Sequence, residues 1–193
     1  KVTRNGKQIE FPHAGVLTSP MWLNRWPTTP TNRNRARARR VYDQFLATDV
    51  LARASQAIDP AAGSTFANPT RDASECAKCH RVVDPIAGAF QMFDKNNQEF
   101  LLDPPVWYPE MFAPGYGNEL MPTDQFKTGL QWLAQRVTND PRFSLATVYT
   151  VYRALTGQKP IAYPTDSKSP DFKQLQAAWE LQDEAMRAIS SEF

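Results

Sequence analysis

The chain has 193 residues, 41% of them hydrophobic, 22% charged and 11% aromatic, and a formal net charge of +2. This is the composition of a globular chain rather than a disordered one, long enough for one domain, or one and a half, to bury about 70% of its unfolded surface. So weak a charge gives no argument for nucleic acid or anionic lipid as a partner, and no run approaches the ~18 consecutive apolar residues of a membrane span.

Sixteen prolines against eight glycines predict long, stiff connections between helices. The chain starts at Lys1 with neither a methionine nor a signal peptide, so a processed chain or a fragment of something longer is expected.

Residues 1–37 read as turn-rich and extended, with Pro12, Pro20, Pro27 and Pro30 interrupting any regular pattern. The basic run Thr31–Arg40 reads as a solvated helix start. The helix is expected to continue over residues 41–51, with Val41, Phe45, Leu46 and Val50 on one face. Residues 59–69, rich in Ala, Gly, Ser and Pro, form a loop. Asp72 or Ser74 can cap a short helix carrying Cys76, Cys79 and His80, and Asp84-Pro85 is expected to end it.

Residues 86–93 predict a second short apolar helix, and residues 94–122 a long loop rich in proline and aromatics. Thr123 caps a helix over residues 124–139, with Phe126, Leu130, Leu133 and Val137 as its buried stripe. Asp140-Pro141 opens another, with Phe143, Val148, Val151, Tyr152 and Leu155 inward, ending at Thr156-Gly157. Ser169-Pro170-Asp171 starts the last, running to about Ser190 with Phe172, Leu175, Trp179 and Met186 as its stripe. No internal repeat and no strand stands out, so the expected fold class is mostly α.

One stretch carries chemistry. Cys76 and Cys79 are the only cysteines, and His80 is one of two histidines. The run C-x-x-C-H reads as a c-type haem attachment site: two thiols a helical turn apart can each form a thioether with one vinyl group of a porphyrin. The adjacent imidazole is then placed to ligate the iron. A zinc site lacks a second ligand pair, and a thioredoxin-like disulfide lacks its βαβ setting. One covalently attached haem c is therefore expected. A peptide carbonyl near Pro85 is expected to accept the free N–H of His80. The small residues 87–89 are expected to let their helix approach the porphyrin. One or two arginines of the basic run can pair with haem propionates or with an acidic redox partner.

The sixth iron position has Met21, Met92, Met111, Met121, Met186 and His13 as candidates. Met121 leads, because Leu120-Met121-Pro122 ends a stiff loop far enough beyond His80 for the chain to pass around a porphyrin; His13 and Met111 follow. Met92 lies close after His80 in the sequence, and Met186 sits on a helix stripe where core filling is the usual role.

Cys76, Cys79, His80, Met121 and Pro122 together resemble the pattern of c-type cytochromes. Over most of its length the chain is also similar to the C-terminal part of large, uncharacterised bacterial extracytoplasmic proteins with cytochrome-like domains. Gly15–Pro20, Thr31–Arg40, Cys76–Phe90 and the run Tyr152–Gly157 carry that likeness. The resemblance implies a cytochrome c-like haem domain, assembly outside the cytoplasm (in the periplasm or at the cell exterior) and electron transfer, with no established substrate. The expected organisation is an extended segment and basic helix over residues 1–70, a haem-binding core over 71–157 and a C-terminal linker and helix over 158–193. An electron-transfer module that docks on redox partners within a larger assembly is the first reading. The alternative is a peroxidase- or oxygenase-like haem enzyme with an open sixth site, for which His13 is the only histidine available as a distal acid–base group. A haem-bearing structural subunit is the third, and is compatible with the first. Asp43, Asp49, Asp59 and Asp84 read as caps, turns and solvated faces.

Overall fold

The computed structural model describes residues 1–4, 6–53, 61, 65–93 and 99–191. The fold is mostly helical, as the periodicity predicts. Its elements are the strands β1 (Val2–Arg4) and β2 (Lys7–Ile9), then helices α1 (Pro20–Arg25), α2 (Arg35–Phe45), α3 (Pro69–Asp72) and α4 (Ser74–Ala89). A hairpin follows, β3 (Gly115–Tyr116) and β4 (Glu119–Leu120), and then α5 (Gly129–Asn139), α6 (Arg142–Thr156) and α7 (Phe172–Ser190). The expected loop over 59–69 lies largely outside the described residues, and so does the start of the one over 94–122.

Both hairpins were illegible as strands because each strand is only two or three residues long. In β3–β4, Gly115 pairs with Leu120 and Tyr116 with Glu119. Gly117 takes φ +58°, the left-handed turn conformation that a glycine adopts without strain.

Pro20 starts a helix rather than breaking one. It occupies the first position of α1, where its missing N–H has no helical partner to lose, and the Ser19 hydroxyl accepts the Trp22 N–H at 3.2 Å. Helix α2 begins at Arg35 and stops at Phe45, well short of the expected residue 51. Ala47, with φ +44°, turns the chain out of the helix, and Val50–Arg53 forms a separate 3-10 turn.

Pro85 does not end its helix. Helix α4 runs through it to Ala89, merging the two short helices expected on either side. The ring removes one backbone hydrogen bond, but Ile86, Ala87 and Phe90 beyond the break are all buried. Their burial, at about 25 cal/mol per Å2, outweighs one lost bond. At the other end, Ala73 is the N-cap, with no side-chain bond to the first turn, so neither Asp72 nor Ser74 caps it.

One hydrophobic cluster runs from Leu17 to Val137 and joins α1, α2, α4 and α5. Trp22 stacks on Phe90 with ring centroids 5.6 Å apart. Close approach along this stretch of α4 is to protein, at Gly88 and at the Ala89 carbonyl. A Cβ on Gly88 would lie 2.6 Å from the Pro114 side chain, and the Ala89 carbonyl would lie 2.7 Å from a Cβ on Gly129. Helix α4 is thereby clamped between the β3–β4 hairpin and α5.

The basic run is only partly solvated. Arg37 is fully buried: Nε donates to the Trp26 carbonyl at 2.9 Å, Nη1 to Asn34 Oδ1 at 2.9 Å and Nη2 to the Leu23 carbonyl at 3.3 Å. Burial pulls its guanidinium down to about 10, still protonated at neutral pH. It thus satisfies carbonyls at the end of α1 with a charged donor.

The stripes on α5 and α6 are inward as expected at Leu130, Leu133, Val137, Val148 and Tyr152, whereas Leu155 is 73% exposed. Helix α7 packs on α6, and its one buried residue is Gln182. The Gln182 amide donates to the Ile161 carbonyl and accepts its N–H, pinning the linker to the helix. No described helix is long and apolar enough to cross a membrane.

Candidate functional site

Helical spacing sets Cys76, Cys79, His80 and Val83 along one side of α4, at i, i+3, i+4 and i+7. Both thiols are free and half-buried. The Cys79 thiol points its S–H toward the Val50 carbonyl, 3.7 Å away.

Beside them lies a cavity of about 250 Å3. Cys79, His80 and Val83 form its α4 wall, Val50 and Leu51 close one side, and Arg35 and Arg39 of α2 border it. Cys76 sits one turn earlier on the helix and does not line it.

The imidazole is held by a carboxylate rather than by a peptide carbonyl. His80 Nδ1 lies 3.0 Å from Asp84 Oδ1, one helical turn along α4. Asp84 is fully buried. Arg35 reaches it with two donors, Nε to Oδ1 at 2.7 Å and Nη2 to Oδ2 at 3.3 Å, and the Phe112 N–H approaches Oδ2 at 3.4 Å. Burial alone would raise its carboxyl, but hydrogen bonds from His80 and Arg35 outweigh it and hold Asp84 below the ordinary carboxylate range.

An ionised Asp84 can only accept, so His80 Nδ1 carries the proton and donates. With Nδ1 engaged in this way, Nε2 is the ring nitrogen left for coordination. Asp84 is therefore no turn residue. Spacing alone could have found it, since Asp84 stands at i+4 from His80 in a continuous helix, but the helix was expected to end there.

The donor set fits a covalently bound haem. Two thiols stand a turn apart on one helix face, next to an imidazole whose Nδ1 is held by a buried carboxylate. Arg35 is committed to Asp84, and Arg33 pairs with Glu110 and lies 4.1 Å over the Tyr108 ring. Arg39, exposed at the cavity rim, makes no ion pair among the described residues.

The methionine candidates are not brought to this cavity. Met121 is 4% exposed in the core behind the hairpin, its N–H donating to the Pro114 carbonyl at 2.9 Å. Met111 is buried beside a different cleft, shared with Arg81 and Pro85 on another face of α4. Met92 is core, Met21 is 85% exposed and Met186 lies against α6. His13 is exposed, with its ring 5.4 Å from Phe11.

The architecture is thus that of a mostly helical protein carrying a carboxylate-oriented histidine beside two free thiols. Residues 13–98 match the family model PSCyt3, described as a protein of unknown function (DUF1588), a match that points to a cytochrome-like domain. The matched stretch holds Cys76, Cys79, His80 and Asp84 and stops before Met121; it covers less than half of the 193 residues. No curated protein and no solved structure matches the chain.

Proposed function

We propose that this chain is a c-type cytochrome domain in which Cys76 and Cys79 hold one haem covalently and His80 ligates its iron. The observation that carries the reading is the buried Asp84 carboxylate on His80 Nδ1, which leaves Nε2 free beside the cavity and the thiols. A carboxylate on the far ring nitrogen is the usual support of a metal-ligating histidine, fixing its tautomer and raising its basicity.

A haem held there supplies one-electron exchange between ferric and ferrous iron. The chain's own residues do the rest. Asp84 makes His80 a stronger donor and so favours the oxidised state, while Arg35 keeps Asp84 ionised. Arg39 is positioned to pair with a haem carboxylate at the cavity rim. Val50, Leu51 and Val83 keep water from one edge. Covalent attachment of this kind belongs to extracytoplasmic assembly, and the partners would be redox proteins, including other subunits of a larger complex.

Met121 remains our candidate for the sixth position, where a thioether would raise the potential. One observation favours a second reading, a haem enzyme with an open sixth site: neither Met121 nor any other methionine lines the cavity beside His80.

An optical spectrum of the haem-loaded protein separates the two, taken oxidised and reduced, with and without Met121→Leu. Leucine preserves core volume, so a changed spectrum reports ligation rather than collapse. A weak red charge-transfer band lost in the variant means a His80/Met121 electron carrier. A high-spin ferrous form that takes up carbon monoxide readily means the open site. A low-spin spectrum unaltered by the substitution removes Met121 and directs attention to His13. Protein that retains no haem under maturation conditions overturns the whole proposal.

A further inference from the structure

Arg71 and Arg81 border a cleft of about 490 Å3 that shares no residue with the cavity beside His80. Both side chains are exposed, and neither makes an ion pair among the described residues. The wall of the cleft itself holds them. Arg71 Nη1 donates to the Pro109 carbonyl at 2.8 Å, and the Arg81 guanidinium carbon lies 5.2 Å from the centre of the Phe112 ring. Among the described residues no acidic side chain lines the cleft. The two carboxylates that adjoin its lining in the chain are engaged elsewhere, Glu110 with Arg33 and Glu119 with Arg136.

Two features of the cleft define a ligand. Two guanidinium groups without a counter-charge call for an anion, and the planar fork of an arginine pairs at two points with a carboxylate. The remaining lining is largely apolar and includes Pro85, Trp107, Met111 and Phe112. Trp107 is a fixed platform, because its indole N–H donates to the Phe112 carbonyl at 3.0 Å. Flat ring faces of this kind take an aromatic body.

We infer that this cleft binds a small aromatic carboxylate, its anion held by Arg71 and Arg81 and its ring lying on the apolar wall around Trp107. Both guanidiniums are already positioned by the wall, so little side-chain freedom is lost on binding. The volume suits one small ligand. The inference stands independently of the haem, since no residue of the cavity beside His80 takes part.

The test is isothermal titration calorimetry of the haem-loaded protein at low ionic strength, which reads no haem signal. The probes are benzoate and naphthoate, with benzamide as the neutral counterpart, acetate as the anion without a ring and hexanoate as the anion on a flexible chain. At least one of the two aromatic carboxylates is expected to saturate a single site with a Kd of about 0.1–1 mM. Benzamide, acetate and hexanoate are each expected to bind at least about tenfold more weakly. Arg71→Gln and Arg81→Gln are each expected to weaken the aromatic carboxylate by about tenfold, with an unchanged urea midpoint because both side chains are exposed. No binding of either aromatic carboxylate up to about 20 mM overturns the inference. So does benzamide, acetate or hexanoate binding as tightly as they do, or either glutamine variant binding as well as the parent.

Discussion

Arg35 and Asp84, 49 residues apart in the chain, meet in a two-point ion pair between α2 and α4. The carboxylate is wholly buried and the guanidinium nearly so, with side-chain exposures of 0% and 19%. The same carboxylate holds His80, so one ion pair joins helix packing to the orientation of the imidazole.

Removing either partner therefore has a distinct signature. Arg35→Met leaves Asp84 buried without its cation, which costs about 3–5 kcal/mol, read as a lower urea midpoint. Asp84→Asn keeps a hydrogen-bond acceptor for His80 Nδ1 but removes the negative charge. The haem potential is then expected to rise, because His80 becomes a weaker donor to the oxidised iron. Spectroelectrochemical titration checks it, and an unchanged potential would mean that His80 does not ligate the iron.

Covalent attachment is checked by losing it stepwise. Cys79→Ala and Cys76→Ala each leave one thioether, so haem still migrates with the denatured protein. The double variant is expected to release all haem on denaturing gels. It is also expected to lose thermal stability, since a ligand that binds only the folded state stabilises it by mass action. Retention of haem in the double variant sinks the attachment proposal.

Gly88 tests how tightly α4 is held. A Cβ there would lie 2.6 Å from the Pro114 side chain and 2.8 Å from its Cα, both part of a rigid ring and backbone that cannot swing aside. Gly88→Ala gains helix propensity of about 1 kcal/mol but forces the hairpin away. The net expectation is a destabilisation of about 1–3 kcal/mol, typical of overpacking. Thermal melting decides the sign.

How much of this was legible in the sequence depends on range. Local signals held: Gly157, at φ +70°, ends α6 where Thr156-Gly157 predicted it, and α7 runs from just after Asp171 to Ser190. Pro85 misled, because the rule that proline stops a helix carries no information about the buried Ile86, Ala87 and Phe90 that pull the helix onward. Pro20 misled in the opposite sense, for Ser19-Pro20 is a helix start signal. Cys76, Cys79 and His80 were legible as a local spacing. Asp84 belongs to the same local pattern, but its role depends on Arg35 from another helix, a pairing no periodicity discloses. The cleft bordered by Arg71 and Arg81 is invisible for the same reason, since a paired arginine and an unpaired one look alike in a sequence.

Asp140 supplies the pH test. It lies between α5 and α6, and its carboxylate accepts from Arg142 Nε at 2.8 Å, Arg142 Nη2 at 2.7 Å, the Arg142 backbone N–H at 2.9 Å and the Tyr116 hydroxyl at 2.6 Å. Arg142, first among these, holds the Asp140 carboxyl well below the ordinary range. Burial and the nearby carboxylate push the Tyr116 hydroxyl far upward, so it stays a donor throughout the accessible range. The folded-state value of Asp140 is depressed, so its contribution is fully present above the unfolded value of about 3.9 and is lost as the pH falls through the acid range toward the folded value. Asp140→Asn removes the charge at every pH. Near pH 6 it is expected to be less stable than the parent by on the order of 1–2 kcal/mol, and the gap is expected to close as the pH drops below about 4. Urea denaturation across that interval measures it. The backbone N–H and the Tyr116 hydroxyl donate to different carboxylate oxygens, so asparagine keeps one of these bonds and loses the other, and a gap that stays constant with pH would show that the substitution acts through that lost bond rather than through the charge.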